Sequence, residues 1–236
     1  SPVTGAYNFR DLGGIAAADG RVVRAGRLFR SDTLQALTAA DVAWLAAAGL
    51  AAVVDLRLAE EVAGEGRGPL AQAPGLAYVN APMAMASLEG IAPERALDTL
   101  YLGCLEPASN LPRAFEHVAR FAGAPTIFHC AAGKDRTGLL AAILLSAVGV
   151  GDDAIVADYL LSRAAMPAML ARFADWPRYR EHIATMPPQV YAVDAAPLRL
   201  FLHELRRRHG DTSGWARDHG IHADVIAQLR RELLTD

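Results

Sequence analysis

HCAAGKDRTG, residues 129–138, lies between a short apolar run at 125–128 and a long one at 139–148. That pattern reads as strand, tight loop and helix, with Cys130 at the strand end and Arg136 at the helix start. A helix N-terminus presents unpaired backbone N–H groups and roughly half a positive charge. A loop opening onto it is a ready site for a phosphate-like anion. The same field, with Lys134 and Arg136 adding to it, favours a thiolate, the nucleophilic form of cysteine. Cys130 is therefore read as a nucleophile. Arg136 is read as the clamp, because its planar fork bonds two phosphate oxygens at once. Gly133 lets the backbone turn its amides inward. The anion-binding set is then Ala131, Ala132, Gly133, Lys134 and Thr137, whose hydroxyl can donate to the sulfur when it leaves. The plainer alternative is a buried structural cysteine beside a solvated Lys-Asp-Arg. The agreement of His129, Gly133, Thr137, Gly138 and the strand–helix context argues against it.

Outward from the loop, 51–56 reads as a buried strand, 76–80 as a second strand, and 21–25 with 28–30 as a hairpin behind an Asp-Gly turn. Thr38 opens a helix, with Asp41 in box-like spacing, that stops at Gly49. Further helices are expected at 93–103, 109–121 and 137–148. Asp152 is taken to cap the next, which runs to about 163. Amphipathic helices are expected at 194–208 and 222–234, with 211–220 as their connection. Strands alternating with helices predict an α/β fold, a central mostly parallel sheet flanked by helices. The Cys130 loop sits at a strand's C-terminal end, where such sheets bind ligands. Residues 164–192 are rich in Pro, Met and aromatics and predict short helices, read either as a lid-like insertion over an apolar ligand or as satellite core packing.

Bulk properties set outer bounds. With 236 residues, 53% hydrophobic, the chain suits one domain over 1–236. A net charge of −3 gives no nucleic-acid footprint. No run of about 18 apolar residues predicts a transmembrane helix. Two cysteines, Cys104 and Cys130, fit a reducing, cytoplasmic setting, since one occupies a loop that needs a free thiol. Ser1 in place of Met leaves open a trimmed start.

The loop resembles the signature loop of the cysteine-dependent phosphatases, the protein tyrosine phosphatase superfamily. Its wording is similar to that of bacterial tyrosine/lipid phosphatases with a Gly-Lys-Asp-Arg loop. The resemblance extends to NFRDLGG (8–14), RLFRSD (27–32), VVDLR (53–57) and DYLLS (158–162). It implies phosphomonoester hydrolysis through a phosphocysteine, on phosphotyrosine, with phosphoserine/threonine or phosphoinositide activity as extensions, and no metal or cofactor. The implied partner is a phosphorylated protein or a phosphoinositide.

The leaving oxygen needs a proton donor. Tyrosine-specific relatives carry it on an upstream Trp-Pro-Asp loop, which this chain lacks. Two candidates stay open. Asp135 lies inside the loop, as in the myotubularin-type lipid phosphatases, which resemble this arrangement. Asp55 lies at a strand end. Lys134 adds a cation at the pocket rim, although the second loop lysine of the phosphatase and tensin homologue is replaced by Ala131. His129 is expected to order the loop, and Arg10 and Asp11 to brace it. A phosphate-binding pseudophosphatase would ordinarily lack the cysteine or the arginine. Arsenate reductases of this loop type carry it near the N-terminus, and rhodanese loops are one residue shorter.

Overall fold

The computed structural model describes residues 2–235. Five strands form one sheet in the order β1-β2-β5-β3-β4: β1 (Arg10–Asp11), β2 (Leu28–Ser31), β3 (Ala52–Asp55), β4 (Ala77–Asn80) and β5 (Thr126–His129). Only the β1–β2 pair is antiparallel. The expected α/β architecture is thus present. The expected hairpin is not: Arg21–Ala25 forms isolated bridges to Ala16 and Leu234, and β1 supplies the antiparallel partner of β2.

The helices are α1 (Ala39–Ala47), α2 (Ala59–Glu65), α3 (Ala96–Gly103), α4 (Leu111–Phe121), α5 (Asp135–Ala147), α6 (Asp152–Leu160), α7 (Met166–Asp175), α8 (Pro177–Thr185), α9 (Ala195–His209), α10 (Thr212–Asp218) and α11 (Ala223–Leu233). The Thr38–Asp41 capping box opens α1 as expected. Asp152 is not a cap. It is the first helical residue after Gly151, and its carboxylate pairs with Arg206. Residues 211–220 hold a further helix, α10, capped by Asp211. The chemistry of an Asp cap was there to read, but the helix is short enough to pass for a connection.

Side chains alternate across β2, β5 and β3. Phe29, Ile127 and Val53 share one row and face a smaller core with Leu45 of α1 and Phe9. Leu28, Phe128 and Val54 face the main core, built on α3, α4, α5 and α9. α5 carries buried residues on nearly every side, which is why its apolar run reads without a polar face. The described residues hold no single helix long and apolar enough to cross a membrane.

Candidate active site

The loop 130–134 joins β5 to α5. Gly133 sits at φ +64°, and a Cβ there would lie 2.4 Å from Ser31 O and 2.5 Å from Asp32 N, so only glycine fits. Its N–H donates to Cys130 Sγ at 3.2 Å. The loop carbonyls are taken up by neighbours. Thr33 N–H donates to Ala131 O at 2.9 Å. The Asn8 amide donates to Ala132 O and Gly133 O at 3.1 and 3.0 Å. Arg30 Nη2 donates to Gly133 O at 2.8 Å. Among the described residues the amides of Ala131, Ala132 and Lys134 have no partner. A turn with free amides beside a thiol is an anion site.

The bracing comes from three distant segments. Asp158 on α6 accepts from Arg10 Nε at 2.7 Å and Arg30 Nη1 at 2.5 Å. Burial alone would raise Asp158, but the two guanidiniums hold it below the usual carboxylate range. Burial and the neighbouring Arg30 bring Arg10 down to about 10. Asp11 does not brace the loop: it accepts from the N–H groups of Gly13 and Gly26, which ties the N-terminal turns together.

Arg136 is held by a residue the sequence reading missed. Glu61 of α2 takes its Nη1 at 2.6 Å and Nη2 at 3.0 Å, and Nη1 also donates to Leu56 O at 3.3 Å. A guanidinium has five N–H donors, one on Nε and two on each Nη. Three are therefore used. The two that remain are Nε–H and one Nη2–H, and these form the side-on fork that fits two phosphate oxygens. Burial would lower Arg136, but the bond to Glu61 and the nearby Cys130 hold it above its ordinary value.

The two candidate acids fall in different places. Asp135 opens α5 and borders the cavity. Its Oδ1 accepts from Tyr101 OH at 2.7 Å and lies 3.1 Å from Lys134 Nζ. Asp55 lies in the row of Ser31 and His129, two residues on from Val53, so it points with the smaller core rather than at the cavity. It is fully buried and bonded to Arg57 Nη2 at 2.6 Å and Tyr78 OH at 2.9 Å. Burial would raise it, but His129 and Arg57 bring it down to about 2. A carboxylate so held carries no proton to give near neutral pH.

Lys134 departs from its expected place as a free rim cation. It is 1% exposed, and its Nζ donates to Val190 O at 2.5 Å and Ala192 O at 2.8 Å. His129 is buried, with Nδ1 3.1 Å from Cys130 O and Nε2 3.5 Å from Asp55. Burial lowers it, against the pull of the Asp55 carboxylate. Thr137 Oγ1 is buried with no hydrogen-bond partner among the described residues.

A cavity of about 610 Å³ opens over Cys130. Its apolar wall includes Met83, Leu100, Met166, Phe173 and Tyr179. α7 and α8 form one side, and Phe173, Tyr179 and Trp176 pack on Ala131 and Ala132 of the loop. Glu61 and Tyr101 left no local signal in the sequence, whereas Tyr159, whose hydroxyl lies 2.6 Å from that of Tyr101, stood inside the DYLLS motif. Asn8 and Arg30 stood inside motifs already singled out.

A model of the tyrosine phosphatase family matches residues 1–235. The triple specificity protein phosphatase PtpB of Mycobacterium tuberculosis is 32% identical over 272 aligned positions, which take in 98% of this chain and 97% of that protein. A putative tyrosine-protein phosphatase of Cupriavidus necator is 40% identical over 166 residues, 66% of this chain and 60% of its own. A tyrosine-protein phosphatase of Nostoc commune is 28% identical over 234 residues, 89% of this chain and 75% of its own.

Proposed function

This chain belongs to the tyrosine phosphatase family of cysteine-dependent phosphoric monoester hydrolases, and from that membership we propose that it acts chiefly on phosphotyrosine, with Cys130 as nucleophile, Arg136 as phosphate clamp and Asp135 as proton donor. The observation that carries the reading is the free Nε/Nη2 edge of Arg136 beside Cys130 and three unpartnered loop amides. The apolar cavity wall supports an aryl rather than a small polar leaving group.

In the first step the Cys130 thiolate attacks phosphorus, the S–P bond forms and the bond to the leaving oxygen breaks. Asp135 passes its proton to that oxygen. In the second step Asp135, now a carboxylate, takes a proton from water, the water oxygen attacks phosphorus, and the S–P bond returns its electron pair to sulfur. Arg136 and the loop amides hold the equatorial oxygens throughout. The buried Thr137 hydroxyl has its donor to offer the sulfur as it leaves.

The second reading is phosphoinositide or phosphoserine/threonine hydrolysis. Arg178 on the cavity wall favours it, as a further cation beside the clamp. Lys134, spent on backbone carbonyls, no longer argues for it. Vanadate-sensitive hydrolysis of p-nitrophenyl phosphate should vanish in Cys130→Ser, and activity retained there sinks the mechanism. Asp135→Asn should slow phosphoserine-type leaving groups on the order of 10²-fold or more while sparing p-nitrophenyl phosphate. Rates on a panel of phosphotyrosine peptides, phosphoserine peptides and phosphoinositides rank the substrates.

A further inference from the structure

Asp135 is held from behind by two buried phenols. Tyr101 of α3 donates to its Oδ1 at 2.7 Å, and the Tyr159 hydroxyl of α6 lies 2.6 Å from that of Tyr101. The rings meet edge to face at 6.3 Å, and the residues are 0% and 1% exposed. A phenol has one proton to donate. With Asp135 ionised, the pair has one self-consistent order, in which Tyr159 donates to Tyr101 and Tyr101 donates to Asp135. Lys134 Nζ approaches the same Oδ1 at 3.1 Å. Tyr101 is its hydrogen-bond donor and Lys134 pairs with it by charge, so both partners of the carboxylate lie on the Oδ1 side. Oδ2 has no partner among the described residues, and Asp135 borders the cavity.

We infer that Tyr101, backed by Tyr159, is a positioning residue for the proton transfer: it fixes Oδ1 so that Oδ2 is the oxygen that holds the proton and delivers it to the leaving group. This rests on the reading of Asp135 as the acid. The groups that face Asp135 are Tyr101 from α3, Cys104 just past its end, Tyr159 from α6, His182 from α8, Tyr191 from the turn at 188–191 and Lys134 from its own segment, with Cys130 and Arg136 lining the same cavity. Burial pushes the Cys104 thiol up to about 12 and raises the phenols of Tyr101 and Tyr159, so these stay uncharged. The cation beside the carboxylate, Lys134, remains when a phenol is removed. Taking away a donor to the charged form disfavours that form.

The test is Tyr101→Phe, assayed against pH on a phosphoserine-type substrate and on p-nitrophenyl phosphate. The alkaline limb of kcat should move up by about half to one pH unit. On the poor leaving group kcat should fall about tenfold, and on the activated one by less than about twofold. Tyr159→Phe should shift the limb the same way by less, and it serves if Tyr101→Phe folds poorly. A limb that stays in place in both variants, or equal loss on both substrates, overturns the inference, since a merely structural role lowers the active fraction without moving the profile. Asp135→Asn separates the two claims. If it shows leaving-group dependence while the tyrosine variants do not, only the positioning role falls. If it costs both substrates equally, the acid reading falls and takes this one with it.

Discussion

At the residue scale, the site is decided by how donors are shared out. Glu61 and Leu56 O take three of the N–H groups of Arg136, which turns a floppy cation into a fork with one open edge. Glu61 also places a carboxylate next to an anion site, so its effect on binding and on turnover should differ. Glu61→Gln keeps the volume but offers one acceptor and a repelling amide. Loss of negative charge offsets loss of orientation in the ground state, so phosphate inhibition should change by less than about threefold, while kcat should fall about tenfold because the transition state needs the fork in place. Steady-state kinetics with phosphate as inhibitor checks the split. Equal changes in both would show that Glu61 acts through charge alone. The neighbouring lysine teaches the converse lesson. Position alone suggests a rim cation at Lys134, but burial forces an ammonium to find acceptors, and these are the carbonyls of Val190 and Ala192.

At the element scale, α7 and α8 reconcile the two readings of residues 164–192. Phe173, Trp176 and Tyr179 form a mutual cluster of tilted rings, with centroids 4.5 Å apart for the Phe173–Tyr179 pair, so they are core packing. They pack on Ala131 and Ala132 of the phosphate loop, so they also cover the site. Arg172 adds a tie to the N-terminal segment, 3.8 Å over the Tyr7 ring and 3.4 Å from Asp32. We propose that this pair of helices acts as a lid that selects the leaving group. Replacing Phe173 and Tyr179 together by Ala should raise KM for a phosphotyrosine peptide about tenfold, the loss expected from about 1.4 kcal/mol of apolar contact. An unchanged KM and an unchanged preference for aryl over alkyl phosphates would leave the helices as packing only.

At the scale of the whole molecule, segments more than a hundred residues apart meet at one buried carboxylate. Asp158 holds Arg10 and Arg30, and Arg30 reaches the loop at Gly133 O. Asp158→Asn should destabilise the fold by about 3–5 kcal/mol at neutral pH, because it strands two buried guanidiniums. The sign with pH follows from its depressed folded value. The contribution is complete above the ordinary carboxylate range and is lost as pH falls through the lower folded value. Denaturant unfolding of both proteins from pH 7 to pH 3 should show the gap closing at the acid end, and a constant gap would refute the ionic account. Much of the site was legible along the chain. Cys130, Gly133, Arg136 and the strand–loop–helix around them are local: their chemistry depends on spacing and on a helix start, which neighbouring residues dictate. The motifs around Asn8, Arg30 and Asp158 were legible as words but not as one network. The loop position of Asp135 favours it over Asp55, but the choice stays open along the chain, because strand register decides which face a carboxylate points to. Glu61 and Tyr101 were silent because only the fold brings their helices to the loop. The sequence by itself determined the α/β frame and the strand–loop–helix that sets Cys130 and Arg136 at one turn. Only the tertiary structure decided which carboxylate reaches the cavity, what orients Arg136 and where the loop lysine spends its charge, since burial and register belong to the folded chain and not to any stretch of it.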